Sequence, residues 1–468
     1  MKRKILAMIL AISMLLSMAL LGGCQSTAKS NFAVPEGGYD GSAVTITFYH
    51  TMGEALRTVL DKYIAEFNKL YPNIKVQHEQ VGGYDDVRNQ IVTQISENNQ
   101  PNIAYCYPDH VAMYNLANAV VTLDTLIDSK INVTLADGTT EILGLTDEQK
   151  ADFIPGYYAE GQAYGDGLMY TLPLSKSTEV LYYNKTFFEA NNLQVPTTWD
   201  ELEQVCAAIK AINPESIPLG YDSESNWFIT MCEQYGTKYT SATGDHYLFD
   251  NKENKDFVKK FRQWYQNGYV TTQEIYGAYT SGLFTETSNK CSYMSIGSTG
   301  GANHQRPGMD TEGNYLFEVG IAPIPQVNAS NPKVISQGPS LCIFNDTNPQ
   351  EVVASWLFVK FLTTNVKFQA EFSMTSGYAP VLQSVNDIPA FATFLDNADG
   401  GANITALSIK TALNQKDAYY VSPAFNGSSD AREQVGSLLI AGLSGDDGGN
   451  LDAYLDSLFK KAIEECEY

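Results

Sequence analysis

Between residues 44 and 107 short β patterns alternate with helical stripes, and that alternation restricts the chain to layered α/β architecture. Val44-Thr45-Ile46-Thr47-Phe48-Tyr49 alternates in polarity as a strand does. Leu56, Val59, Leu60, Tyr63, Ile64, Phe67 and Leu70 then recur at helical spacing, and Pro72 stops the run. Thr51 and Glu54, three apart ahead of that stripe, have the form of a capping box. Ile74-Lys75-Val76 begins a second strand, Asp85 opens a helix through Val87, Ile91 and Ile95, and Pro101 ends it before a strand at Ile103–Tyr107. The pattern returns at Thr198 and Glu201, a second capping box ahead of Leu202, Val205, Ala208 and Ile209. Asn348, Pro349 and Glu351 open a helix through Val353, Trp356, Leu357, Phe361 and Leu362; proline suits its first position, where an N–H would be unpaired anyway. No internal repeat is visible.

The N-terminus reads as an export address. Lys2, Arg3 and Lys4 precede an apolar run from Ile5 to Leu21, then Gly22, Gly23 and Cys24. A cysteine directly after small residues resembles the lipobox of bacterial lipoproteins, which implies lipidation at Cys24 and removal of residues 1–23 as a signal peptide. A short membrane anchor, or an ordinary signal peptide with an incidental cysteine, are the plainer alternatives. Residues 24–43, rich in Ser, Gly and Ala, read as a flexible tether.

The chain of 468 residues carries a formal charge of −23, and −26 without residues 1–23 and their three cations. So acidic a protein repels nucleic-acid phosphates and anionic lipid headgroups, which excludes a nucleic-acid partner. About 445 residues remain after the leader, enough for two to three domains. Cys106, Cys206, Cys232, Cys291, Cys342 and Cys466 are widely spaced, without C-x-x-C, and read as small buried hydrophobes. There is no G-x-S-x-G, no H-E-x-x-H and no metal-ligand spacing among His50, His78, His110, His246 and His304. No metal, no cofactor and no enzymatic activity are expected. A secreted glycoside-acting enzyme is the remote rival, because its two acids can lie far apart in sequence; an adhesin or structural lipoprotein is another.

Several motifs taken in order carry a resemblance. They are Val180-Leu181-Tyr182-Tyr183-Asn184-Lys185, Pro196-Thr197-Thr198-Trp199-Asp200-Glu201-Leu202, Gly338-Pro339-Ser340-Leu341-Cys342-Ile343-Phe344, Trp356-Leu357-Phe358-Val359-Lys360-Phe361-Leu362 and Gly377-Tyr378-Ala379-Pro380-Val381. Each is weak alone. Their order and spacing resemble the extracellular solute-binding proteins of ABC importers, which include maltodextrin- and glycerol-3-phosphate-binding proteins. The resemblance implies a two-lobed α/β fold of the periplasmic-binding-protein type, with hinge-crossing strands and a central ligand cleft. It implies crossings near Ser175–Val180, Gln337–Leu341 and Ser376–Val381. The expected first lobe is 44–176 plus 340–376, and the second 177–338 plus 378–468. It also implies a monomer that captures a small-molecule ligand and serves the membrane-embedded permease subunits of an importer, held at the outer face of the cytoplasmic membrane by its N-terminal lipid. Lipid tethering suits a cell without a confined periplasm, a Gram-positive bacterium.

Within the family the chain is similar to the glycerol-3-phosphate-binding members. That likeness implies ligand contacts at Tyr84, Ser177, Gly297, Ser298, Gly338, Tyr378 and Arg432. Where those relatives place a glutamate after a tyrosine, this chain has Tyr107-Pro108-Asp109, so Asp109 is the expected substitute at the hydroxyl end. Arg432 offers a planar fork to two phosphate oxygens; without the resemblance, a surface arginine paired to Asp430 or Glu433 is the plainer reading. Gly297-Ser298-Thr299-Gly300-Gly301 could turn successive amides inward as an anion nest, or form a plain tight turn. Trp199 could wall the carbon face of a ligand, or cover the capped helix beneath it. The expected ligand is a phosphorylated polyol such as sn-glycerol 3-phosphate or a glycerophosphodiester, with a neutral sugar or oligosaccharide as the alternative.

Overall fold

The structure, a computed structural model, describes residues 29–467; the leader and Cys24 lie outside the described residues. The alternating run forms β1 (Val44–His50), which buries Val44, Ile46, Phe48 and His50. The helix Glu54–Leu70 follows and buries Val59, Leu60, Tyr63, Ile64 and Phe67. Its start corrects the sequence reading. Gly53 is the N-cap and no side chain caps it, so Thr51 and Glu54 form no box, and Glu54 acts only as a negative charge in the first turn. The Thr198–Glu201 box does form, with Glu201 N donating to Thr198 Oγ1 at 3.2 Å and Thr198 N donating to Glu201 Oε2 at 3.1 Å. Asn348 Oδ1 caps the helix Pro349–Thr364 by accepting from Gln350 N at 3.1 Å.

Two sheets organise the chain. Along the sequence the strands of these two sheets are β1, β2 (Ile74–Gln80), β3 (Ile103–Cys106), β4 (Leu172–Pro173), β5 (Glu179–Asn184), β6 (Leu219–Tyr221), β7 (Val270–Thr272), β8 (Met294–Ser298), β9 (Val319–Pro323) and β10 (Ser340–Ile343). The first sheet has the order β2-β1-β3-β10-β4 and the second β9-β5-β8-β6-β7. In the first, β1 runs parallel to β2 and β3, whereas β10 is antiparallel to β3 and β4. Each sheet has its own apolar core. Phe48, Phe67, Leu341, Trp356 and Phe358 belong to the first; Trp199, Trp227, Phe261, Trp264 and Leu439 belong to the second. Mixed sheets covered by helices, each around a separate core, make two α/β lobes.

The chain passes from β4 in the first sheet to β5 in the second, and returns before β10. These passages lie side by side. Ser177 and Gln337 exchange two backbone bonds of 2.9 Å, and Lys176 pairs in the same way with Ala379, at 3.0 and 2.6 Å. Three chain segments thus form a short ladder between the lobes. Gly338 sits in it at φ +95°, and a Cβ there would lie 2.6 Å from Ser175 O.

Two boundary expectations are corrected. The stretch after 378 does not enter the second lobe at once: Ile154 N donates to Val381 O at 2.9 Å, and Val381, Leu382, Val385 and Phe391 pack into the first core. The chain joins the second lobe only near Gly400, whose carbonyl accepts from Val319 N. Nor do residues 30–39 behave as a free tether. Asn31 Nδ2 donates to Val120 O at 2.7 Å, its Oδ1 accepts from Thr122 N at 2.9 Å, and Phe32, Val34 and Tyr39 pack against the first core. Their apolar side chains outweigh the small-residue composition around them. Among the described residues no helix is long and apolar enough to cross a membrane.

Gly338→Ala is expected to destabilise the protein by about 1–3 kcal/mol, because it forces a side chain into a left-handed conformation against backbone atoms. Urea unfolding monitored by tryptophan fluorescence checks this; an unchanged midpoint would mean that the hinge ladder relaxes freely.

Candidate functional site

A cavity of about 110 Å³ opens between the lobes beside the hinge ladder. The first lobe contributes Tyr107, Pro108, Asp109 and Glu160; the second contributes Ile229, Tyr239, Ser422, Ser428 and Arg432; the hinge supplies Ser336 and Gln337. Asp109 lies in the first turn of the short helix Pro108–Tyr114, with Pro108 at its first position. Its Oδ2 accepts from Ser429 Oγ at 3.1 Å, a bond that spans the cleft. Ser428 and Arg432 belong to the first turns of the helix Ser428–Ser444. First-turn N–H groups lack intrahelical acceptors and favour an anion; here Ser428 N donates to Phe425 O at 3.0 Å and the Asp109 carboxylate stands at this helix end.

Arg432 is half-buried, and its guanidinium donates to Asn226 Oδ1. Among the described residues it forms no ion pair, so the pairing with Asp430 or Glu433 does not occur. Asn226 Nδ2 in turn donates to Glu179 Oε1 at 2.9 Å, and Tyr221 OH donates to Glu179 Oε2 at 2.7 Å. Burial pushes the Glu179 carboxyl up from its ordinary 4.5 to about 7, against those hydrogen bonds and the nearby Arg432 charge.

Tyrosines crowd the first-lobe side. The Tyr84 and Tyr107 rings stack at 4.5 Å, and the Tyr105 ring lies 6.3 Å from Tyr84, nearly parallel to it. Tyr378, Arg432 and Asp109 are all close enough to Tyr107 to act on its phenol. Burial raises the phenols of Tyr84, Tyr105, Tyr107 and Tyr378, so each stays a neutral hydroxyl at any working pH. Gln337 and Ser422, two residues of the cavity lining, each carry a polar atom buried without a partner, Gln337 Oε1 and Ser422 Oγ. Among the described residues no three His, Cys, Asp or Glu side chains are grouped to hold a metal.

The sequence-derived residues divide accordingly. Asp109 and Arg432 line the cavity, while Tyr84 and Tyr378 stand behind or beside Tyr107. Ser177 is buried in the hinge ladder, bonded through its backbone to the cavity residue Gln337. Trp199 does not reach the cleft. Its Nε1 donates to Gln234 Oε1 at 2.8 Å and its ring packs near Phe261 and Trp264 of the helix Lys252–Gln266, so it fills the second-lobe core. Gly297 is closed off by the Asp222 carboxylate, 2.6 Å from where a Cβ would sit. The anion nest does not form either: Thr299 N donates to Thr178 O at 2.8 Å and Gly300 N to Ser298 Oγ at 3.2 Å, so these amides are spent inside the turn. Gly338 serves hinge packing. Sequence reading missed Glu160, Glu179, Asn226 and Ser428. Ser336 and Gln337 were within reach, since they directly precede the glycine already singled out.

Two lobes closed over a polar cavity, with side chains from both and from the hinge lining it, define a cleft-type ligand-binding protein. The family described as bacterial extracellular solute-binding protein matches residues 62–398, and the chain belongs to that family. The sn-glycerol-3-phosphate-binding periplasmic protein UgpB of Escherichia coli K12 is 21% identical over 406 residues, covering 84% of both chains. Among solved structures, UgpB from Mycobacterium tuberculosis in complex with glycerophosphocholine aligns with a TM-score of 0.68 at 18% identity, covering 91% of this chain and 99% of that one. The cyclic alpha-maltosyl-1,6-maltose binding protein from Arthrobacter globiformis aligns with a TM-score of 0.69 at 16% identity, covering 91% and 100%. These structural likenesses establish the fold.

The folded state holds a proton on Glu179 more tightly than the unfolded state does. The stability this group contributes is therefore complete below about pH 4.5 and is lost as pH rises through about 7. The melting temperature of the wild type relative to Glu179→Gln should accordingly fall between pH 5 and 8. A difference independent of pH would show that the carboxyl is ionised throughout that range.

Proposed function

We propose that this protein is the lipid-anchored substrate-binding component of an ABC importer, capturing a phosphorylated polyol such as sn-glycerol 3-phosphate or a glycerophosphodiester. The observation that carries the ligand class is Arg432: a cavity guanidinium with no carboxylate partner among the described residues, one turn into a helix whose first residue also faces the cavity. A bidentate arginine and a helix N-terminus together favour a phosphate. The neutral-sugar reading draws on the tyrosine stack and on Asp109 and Glu160, which suit hydroxyl-rich rings.

Hinge closure delivers the ligand. A solute that touches Arg432 in one lobe and Asp109 in the other binds the closed form better, and the balance shifts by that difference in affinity. Closed, loaded protein is what the permease receives. The lipid at Cys24 keeps the protein beside it and raises the effective concentration of their encounter. The protein acts as a monomer on the outer face of the membrane.

Calorimetry with sn-glycerol 3-phosphate tests the reading. Arg432→Ala should weaken binding by about 2–5 kcal/mol, the range for truncating one partner of a buried charge pair. If maltotriose binds and the phosphate ligand does not, the ligand class is wrong. For the anchor, Cys24→Ser should move the protein from the membrane to the soluble fraction with its affinity for sn-glycerol 3-phosphate unchanged; continued membrane association would contradict lipidation there.

A further inference from the structure

The cavity has a second charged wall that the phosphate reading leaves unused. Glu160 lines it, yet its side chain is only 3% exposed. Its Oε1 accepts from Lys176 Nζ at 2.6 Å, and its Oε2 accepts from Ser336 Oγ at 2.8 Å. Lys176 Nζ also reaches Ser340 Oγ at 3.2 Å and Gly338 O at 3.5 Å. The three protons of the ammonium are thus directed at three acceptors within the hinge, and Lys176 is fully buried and absent from the cavity wall. The pair is therefore oriented, with its cation inside the hinge and its anion toward the cavity. Each carboxylate oxygen has accepted one hydrogen bond from the protein and can accept another. Beside it Gln337 Oε1, also an acceptor, is buried with no donor.

The geometry points to Glu160 as a ligand-contacting residue: with Gln337 it accepts hydrogen bonds from ligand hydroxyls, and Lys176 is the positioning residue that holds it. A carboxylate with unused lone pairs takes a polyol or sugar hydroxyl, because a hydroxyl supplies a further donor. Asp109, whose two oxygens likewise each accept one bond, from Ser429 Oγ and His110 N, is the less buried of the two carboxylates. The inference rests on the cavity being the ligand site, as proposed above, and does not depend on the phosphate.

The test removes both charges together, so that neither is stranded in the interior. Glu160→Gln/Lys176→Met and Glu160→Asp are compared with wild type by calorimetry against sn-glycerol 3-phosphate and inorganic phosphate. The double variant should bind sn-glycerol 3-phosphate at least tenfold more weakly while inorganic phosphate changes less than twofold. Glu160→Asp, which keeps the ion pair but withdraws the carboxylate, should also lose affinity for the polyol phosphate selectively. Unchanged affinity, or equal losses for both ligands, would reduce the pair to a structural staple and overturn the inference. If wild type binds maltotriose and neither phosphate compound, the phosphate reading fails, and the role of Glu160 is decided by whether the variants lose maltotriose by the same factor.

Discussion

A lysine ammonium and a glutamate carboxylate are buried together where the two lobes meet, Lys176 with Glu160, and the arrangement of the cleft depends on them. Removing two such ions from water costs several kcal/mol each, and their attraction offsets that only where geometry is close and the remaining hydrogen-bonding capacity is used. Here it is used: Ser336 and Ser340 hydroxyls and the Gly338 carbonyl complete the set, all from the returning hinge segment. The pair therefore ties the outgoing passage at Lys176 to the returning passage at 336–340, alongside the backbone ladder of Ser177 with Gln337.

The rest of the site follows from how charge is distributed around that point. The mean field of so acidic a chain repels an anion, so a phosphate can be held only by local potential. Arg432 and the first turn of the helix Ser428–Ser444 supply it at one end of the cavity, while carboxylates and an amide oxygen offer acceptors elsewhere on the wall. Asp109 reaches across the cleft to Ser429, a direct bond between the two lobes.

How much of this was legible depended on whether a signal was local. The Thr198–Glu201 box and the Asn348 cap appear as read, because both ends of each interaction lie within three residues. Thr51 and Glu54 had the same spacing, but Gly53 takes the cap position, and nothing in the spacing distinguishes the two cases. Arg432 and Asp109 could be picked out through resemblance and do line the cavity. Trp199 was drawn to the cleft by its chemistry, whereas its place at the start of an amphipathic helix turned it to the core. Glu160 was invisible: in Tyr-Ala-Glu-Gly it looks like any surface acid, and only the return of the chain 176 residues later, at Ser336, buries it. The route of residues 379–391 along the first lobe is likewise a tertiary outcome, set by Val381, Leu382 and Phe391 finding that core.

The central claim is that one ligand is shared by both lobes and selects the closed form. Small-angle scattering of the lipid-free protein, with and without saturating sn-glycerol 3-phosphate, addresses it most directly. The account predicts a smaller radius of gyration with ligand, approaching that of the closed structure described above. An unchanged radius in a sample shown by calorimetry to be loaded would contradict it.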